Sequence, residues 1–272
     1  MKPHICSFES RKSTEMRSLI ERCGGVATIA PSMKEVPLSD NRHLPDFVEK
    51  LRQQEIDVVI FMTGVGARSL AEAISDQVDL PELVELLAAT TVMVRGPKPT
   101  VVLRGWKARI DHRVPEPNTW RELVETIDNV WSDDSPTNLE GVKFAVQEYG
   151  IPSTELYNAL KTRGADVYPV TVYRWALPDD CEPLLQAIKS TIAGDFDCLM
   201  ITSAQQVHHV LEVADSHGLK DDWITAANNT RIASIGPTAS ETIRSLGLHV
   251  DLEPSHPKMG HLVRETLEAI SG

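Results

Sequence analysis

Four short stretches of small and hydroxylated residues, each set directly after an apolar run, are where this chain could do chemistry. Thr63-Gly64-Val65-Gly66-Ala67 follows VVIFM, Arg95-Gly96-Pro97-Lys98 follows TVMV, Thr202-Ser203-Ala204 follows CLMI, and Ile235-Gly236-Pro237-Thr238 follows RIAS. Each leads into a helix-like pattern, so each reads as a strand-to-helix turn. A helix N-terminus presents unpaired N–H groups and the positive end of the helix dipole, which together attract anions. Small residues let a ligand approach the backbone, and a Ser or Thr hydroxyl can cap the helix or bind a carboxylate. Taken singly, each turn has the composition of an ordinary cap. Four of them, two in each half of the chain, exceed what ordinary capping requires.

Other chemistries find less support. TGVGARSL has GxG but lacks the third glycine of a dinucleotide fingerprint, and no Asp or Glu closes a following strand. It leaves a nucleotide-dependent transferase or oxidoreductase as the third reading, and neither a Walker A motif nor a GxSxG nucleophile elbow occurs. Cys6, Cys23, Cys181 and Cys198 have no metal-ligand spacing, and Cys198 sits inside an apolar strand pattern, so they read as packing residues. His208 and His209 are adjacent on a predicted helix, about 100° apart, and cannot easily share a metal. His256 is equally uninformative. No metal site is expected.

The elements that must position these turns are legible because the chain repeats itself. Ile5 to Pro31 returns as Phe144 to Pro169, each an apolar run, a polar turn, a helical stretch, a glycine and a second short strand ending at proline. IDVVIFMTGVGARSLAEAI, from Ile56, returns as FDCLMITSAQQVHHVLEVA, from Phe196, and TVMVRGPKPTVVL, from Thr91, returns as RIASIGPTASETI, from Arg231. The runs VVIFM (58–62), VKFAV (142–146), CLMIT (198–202) and RIASI (231–235) are too continuously apolar for one-sided strands. Strand, turn and helix in alternation predict an α/β fold, two similar lobes with parallel sheets covered by helices and a ligand cleft between them. Prolines at Val36-Pro37, Pro115 to Pro117 and Ser135-Pro136 mark loops, and YPVTVYRWALP (168–178) reads as an extended connector.

With 272 residues and 42% apolar content the chain can bury two cores. Its net charge of -12 argues against nucleic-acid or anionic-membrane partners. No N-terminal h-region and no apolar run of membrane-spanning length occurs, so a cytoplasmic protein is expected. One stretch runs against the total: Arg95, Lys98, Arg104, Lys107, Arg109 and Arg113 face only Asp111. It is either a solvated face or a local positive rim that attracts an anionic small molecule.

FAVQEYG at Phe144, YPVTVYRWALP with Tyr173, the TSA turn at Thr202 and IGPTAS at Ile235, in this order and spacing, resemble uroporphyrinogen-III synthases, and RGPKP at Arg95 resembles the bacterial branch of that family. The likeness runs from Ser10-Arg11 to the last helix. It implies a discontinuous first lobe, 1–35 with 174–272, a second lobe over 40–168, linkers near 34–39 and 169–173, and lobe closure on substrate. The implied enzyme is a monomeric, cofactor-independent lyase of tetrapyrrole biosynthesis. It would close hydroxymethylbilane, a linear tetrapyrrole with eight carboxylates, to uroporphyrinogen III, inverting the last pyrrole ring through a spiro intermediate. The resemblance gives Tyr173 a chemical role in departure of the substrate hydroxyl; a partly buried core tyrosine is the other reading. It also makes Arg11, Thr63 to Gly66, Gly96, Lys98, Thr202 to Ala204, Gly236, Pro237 and Thr238 substrate-binding.

Two departures from the family pattern stand out. Many members have Thr three residues after the glycine of the second-lobe turn, where this chain has Pro97, Lys98 and Pro99, with Thr100 one place late. Gln205 stands where a small residue is common. They leave room for an alternative, a non-catalytic two-lobed tetrapyrrole- or carboxylate-binding regulatory domain, which would keep the turns and have no need of Tyr173.

Overall fold

Alternating apolar runs and amphipathic stretches give a βα succession in the computed structural model of the chain, which describes residues 2–37, 43–131, 137–148, 150 and 152–271. The chain opens with β1 (His4–Ser7), α1 (Ser13–Arg22), β2 (Val26–Ile29) and β3 (Lys34–Pro37). It continues through α2 (His43–Arg52), β4 (Val58–Phe61), α3 (Gly64–Ala73), α4 (Leu80–Ala88), β5 (Thr91–Val94), α5 (Pro97–Gly105) and β6 (His112–Arg113). α6 (Trp120–Trp131), β7 (Lys143–Gln147), α7 (Thr154–Thr162), β8 (Asp166–Val170) and β9 (Tyr173–Ala176) follow. The last part holds α8 (Glu182–Ala193), β10 (Cys198–Ile201), α9 (Ala204–Ser216), α10 (Lys220–Ala227), β11 (Arg231–Ser234), α11 (Pro237–Ser245) and α12 (Met259–Ser271).

The chain divides into two compact units, Met1–Lys34 with Trp175–Gly272, and Glu35–Arg174. The first is built on a parallel sheet of order β11-β10-β1-β2, the second on a parallel sheet of order β6-β5-β4-β7-β8. The repeat read from the sequence is repeated in register. Val58 of β4 pairs with Phe144 and Thr91, and Cys198 of β10 pairs with Ile5 and Arg231, which matches Ile5 to Phe144, Val58 to Cys198 and Thr91 to Arg231. Strand-start aspartates recur with it. Asp57 Oδ2 accepts from the Lys143 amide at 2.8 Å and Asp197 Oδ2 from the His4 amide at 2.7 Å. Asp111 Oδ2 and Asp251 Oδ2 accept from the Val92 and Ile232 amides at 2.8 and 2.7 Å.

Helices on both faces explain why the strands are continuously apolar. In the first unit Phe8, Leu199, Ile201, Val210 and Trp223 pack on one side of the sheet, and Ile5, Met16, Ile20, Met200 and Leu262 on the other. In the second, Val58, Ile60, Phe144, Val146, Leu123, Ile127 and Leu160 form a core. Each fully buried aliphatic side chain contributes about 1.5–3 kcal/mol, so two separate cores are sustainable in a chain of this length. The 168–178 segment is not one connector: β8 ends at Val170 in the five-stranded sheet, and β9 pairs with β3 as a separate two-stranded sheet. Pro37 ends β3 instead of sitting in a loop, Pro115 to Pro117 do lie outside regular elements, and Ser135-Pro136 fall outside the described residues.

Candidate functional site

All four turns sit at the carboxyl ends of adjacent parallel strands, the edge where open α/β sheets present ligand sites. In the second unit β4 opens α3 and its neighbour β5 opens α5. Thr63 is the N-cap of α3, its hydroxyl accepting from the Gly66 amide at 2.9 Å. The two glycines of the turn are each required by a close approach. A Cβ on Gly64 would stand 2.7 Å from the Lys98 carbonyl oxygen of α5, and one on Gly66 would stand inside the carboxamide of Gln147. GxG here is therefore a packing device that brings the starts of α3 and α5 together. Gly64, Val65, Arg68, Pro97, Lys98, Val101 and Val102 line a depression of about 330 Å³ over the joined helix starts. Gly96 belongs to a neighbouring one of about 260 Å³, with Arg113, Val114 and Asn118. With its amide nitrogen facing them, Asn118 donates to the Arg95 and Val114 carbonyls at 2.9 and 3.0 Å, which fixes the Gly96 turn from outside.

The first unit builds the same arrangement from β10 with α9 and β11 with α11. Ser203, matching Thr63, is the N-cap of α9 but makes no side-chain cap bond. Thr202 is held inward: its hydroxyl donates to Glu9 Oε2 and accepts from Gln206 Nε2 at 2.8 Å, while its amide donates to Gln206 Oε1 at 2.8 Å. Ala204 opens α9, and Pro237 and Thr238 are exposed on the first turn of α11, behind Gly236. Lys98 is exposed at the place matching Thr238. Thr100 matches Ser240, and both hydroxyls are buried against the turn glycine, Thr100 Oγ1 on Gly96 O at 2.8 Å and Ser240 Oγ on Gly236 O at 3.1 Å. Thr100 is thus a helix-internal hydroxyl and no displaced ligand group.

Electrostatics separate these four helices from most others. α1, α2, α4, α6, α7, α8 and α10 each carry Asp or Glu in the first turn, the usual complement to the dipole. α3, α5, α9 and α11 carry none, a property they share with α12. Their first turns thus hold no acidic side chain of their own to complement the dipole.

A family model described as uroporphyrinogen-III synthase HemD (HEM4) matches residues 14–264. The chain belongs to the uroporphyrinogen-III synthase family. It is 26% identical over 259 residues, 94% of this chain and 92% of the other, to the Bacillus subtilis (strain 168) protein YjjA, described as uncharacterized. It is 26% identical over 144 residues, 52% of this chain and 55% of the other, to the uroporphyrinogen-III synthase of Chlorobaculum parvum. A mutant uroporphyrinogen III synthase from the extremely thermophilic bacterium Thermus thermophilus shares the fold at a TM-score of 0.73, 22% identity and 99% coverage of both chains. The Helicobacter pylori uroporphyrinogen-III synthetase does so at 0.57 and 13% identity, over 99% of this chain and 100% of that one.

Not every residue that the family resemblance suggests joins a turn. Arg11 lies with its guanidinium 4.5 Å over the Trp175 ring. Tyr173, the first residue of β9, is 2% exposed. The cationic run is divided by the fold. Arg95, Lys98 and Arg113, the last in register with Val94, stand at the carboxyl edge, whereas Arg104 lies at the far end of α5 and Arg109 bonds the Thr90 carbonyl at 2.6 Å and Asp111 at 2.8 Å at the amino edge. It is therefore no single rim. Cys6 and Cys198 are buried, and burial pushes the Cys198 thiol up to about 12 and Cys6 up as well, so both are packing groups. His209 is buried with Nδ1 on the Ser32 carbonyl at 2.8 Å, and burial followed by His209 lowers the His208 pKa. Among the described residues no group of three His, Cys, Asp or Glu is placed to hold a metal, and no helix is long and apolar enough to cross a membrane.

Sequence reasoning missed the residues that hold the turns of this synthase-family chain in place, Glu9, Asn118, Gln147 and Gln206, and Glu148, whose backbone carbonyl accepts from Gln147. A signal existed. Glu9 and Glu148 fall at matching places in the repeat, each just past a central strand.

Proposed function

We propose that this protein is a uroporphyrinogen-III synthase, closing hydroxymethylbilane to uroporphyrinogen III with inversion of the last pyrrole ring. The observation that carries this reading is the absence of acidic residues from the first turns of α3, α5, α9 and α11, at register-matched places in both units of a family member. Backbone donors at such turns bind carboxylates without adding positive charge, which suits a substrate with eight of them held by an acidic protein.

The chemistry asked of the chain is chiefly positioning. Loss of the terminal hydroxyl as water gives an azafulvene, whose electrophilic carbon is attacked by the already substituted carbon of the last ring. The spiro intermediate breaks its other bond to that carbon and recloses with the ring reversed. Turns that fix the carboxylates hold the last ring in the geometry for this path and away from direct closure. Tyr173 is assigned to the first step, its O–H donating to the departing hydroxyl. Nothing in this sequence of steps calls for a cofactor.

A second reading is favoured by one observation. Tyr173 is 2% exposed, as in a structural tyrosine, and a regulatory domain that binds a tetrapyrrole without turning it over would leave it so. One experiment separates the two: the isomer ratio of uroporphyrin after the purified protein is given fresh hydroxymethylbilane, with spontaneous closure as control. A dominant type III product is expected, with Tyr173→Phe slowing its formation while the fold is retained. Type I alone, at the spontaneous rate, would make the protein a binding domain.

A further inference from the structure

The carboxyl end of β7 carries two polar side chains that the proposed reaction has not used, and both are buried. Gln147 is 0% and Glu148 4% exposed. Gln147 reaches across to the β4–α3 turn, where its Oε1 accepts from the Thr63 amide at 3.3 Å and its carboxamide fills the space a side chain on Gly66 would need. Its Nε2 donates to the Glu148 carbonyl. Both oxygens of the Glu148 carboxylate are engaged by hydroxyls, Oε1 by Tyr157 of α7 at 2.7 Å and Oε2 by Thr171 at 2.5 Å. Its amide donates to the Val170 carbonyl at 3.0 Å. Thr171 lies in the short break between β8 and β9, two residues before Tyr173.

A buried carboxylate is costly unless its oxygens are satisfied, and here two hydroxyls satisfy both, so loss of either hydroxyl leaves a buried acceptor exposed to that cost. The first unit tells what the arrangement is for. Glu9, at the matching place after β1, bonds its turn directly, through the Thr202 hydroxyl. There the carboxamide comes from Gln206, at the place matching Gly66, while Phe8 occupies the place matching Gln147. The two halves thus bring a glutamine to the turn from different elements, whereas the glutamates, at matching places, turn to different partners, Glu9 to Thr202 and Glu148 to Thr171 and Tyr157. In the second unit the bonds of the glutamate continue to Thr171, in the segment leading into Tyr173.

We propose that Glu148 is a positioning residue for ring closure: its carboxylate, held by Tyr157, fixes the β9 entry through Thr171, while its backbone carbonyl accepts from the Gln147 carboxamide that reaches the Thr63 to Gly66 turn. The inference rests on the synthase reading. Wild-type protein is therefore assayed first with hydroxymethylbilane, and if it yields type I only, that reading fails and the inference falls with it.

If type III is formed, Glu148→Ala lowers kcat about 10- to 100-fold, the scale of small misplacements at a reacting centre, raises the type I share and leaves KM unchanged. Glu148→Gln, whose amide can accept from one hydroxyl and donate to the other, restores most of kcat. Thr171→Val, which cuts one arm and spares the core, lowers kcat in the same sense even if the alanine variant does not fold. Wild-type kcat and isomer ratio in Thr171→Val or in a folded Glu148→Ala would overturn the proposal. So would Glu148→Gln as impaired as Glu148→Ala, because charge and not geometry would then be the requirement.

Discussion

Gly66 and Gln147 occupy one space between them, and the other half of the molecule supplies its carboxamide from Gln206, at the place matching Gly66. A Cβ at position 66 has to displace the Gln147 carboxamide, which frees the half-buried Thr63 amide from its acceptor. Gly66→Ala is therefore expected to destabilise the protein by about 1–3 kcal/mol, the range for overpacking against a buried side chain. Gln147→Ala removes both the obstacle and the acceptor, so the double variant costs less than the sum of the two. Urea unfolding of the four proteins measures the coupling, expected at about 0.5–3 kcal/mol; strict additivity would mean the two side chains do not share this space.

At the scale of elements, strands and helices were legible in sequence because the central strands are buried on both faces and most helices on one. This is why VVIFM, CLMI and RIAS could be aligned with their repeats and proved to lie in register. What escaped was contact between elements distant along the chain. The carboxamide of Gln147 reaching Gly66 leaves no periodicity, and a run of cations in sequence is cut in two when α5 carries the chain back across the sheet. α12 offers another such case. Glu265, on its second turn, accepts from the amide and hydroxyl of Ser255 at 2.7 Å each and from His261 Nδ1 at 3.0 Å, with Arg264 3.6 Å away, tying the preceding loop to the helix. The Ser255 bonds, with His261 adding to them, hold its pKa down to about 2 from an ordinary 4.5. A depressed folded-state pKa contributes stability above the unfolded value that is lost as pH falls through the folded one. Thermal midpoints measured from pH 4.5 down to about 2 should thus drop less steeply in Ser255→Ala than in the wild type. Parallel curves would show that the clamp does not respond to acid.

Taken as a whole, the molecule has a net charge of -12, and its proposed substrate is itself a polyanion. Long-range repulsion and short-range attraction then act on different length scales. The turn amides, Arg68 and Lys98 reach only a few ångströms, whereas the repulsive field extends over a Debye length of about 30 Å at 0.01 M salt and about 8 Å at 0.15 M. Raising salt across that range shortens the repulsion while leaving contact interactions nearly intact, so kcat/KM should rise, in contrast to the fall expected of a basic site that steers its ligand in. Lys98→Thr, which gives the second unit the residue the first has at Thr238, removes an attractive charge near the point of contact and should steepen the loss at low salt. Stopped-flow or steady-state rates across the salt series measure both effects. A kcat/KM that falls steadily with salt in the wild type would mean that the cations at the carboxyl edge govern approach despite the total, and the binding site would then have to be described as basic ground on an acidic protein.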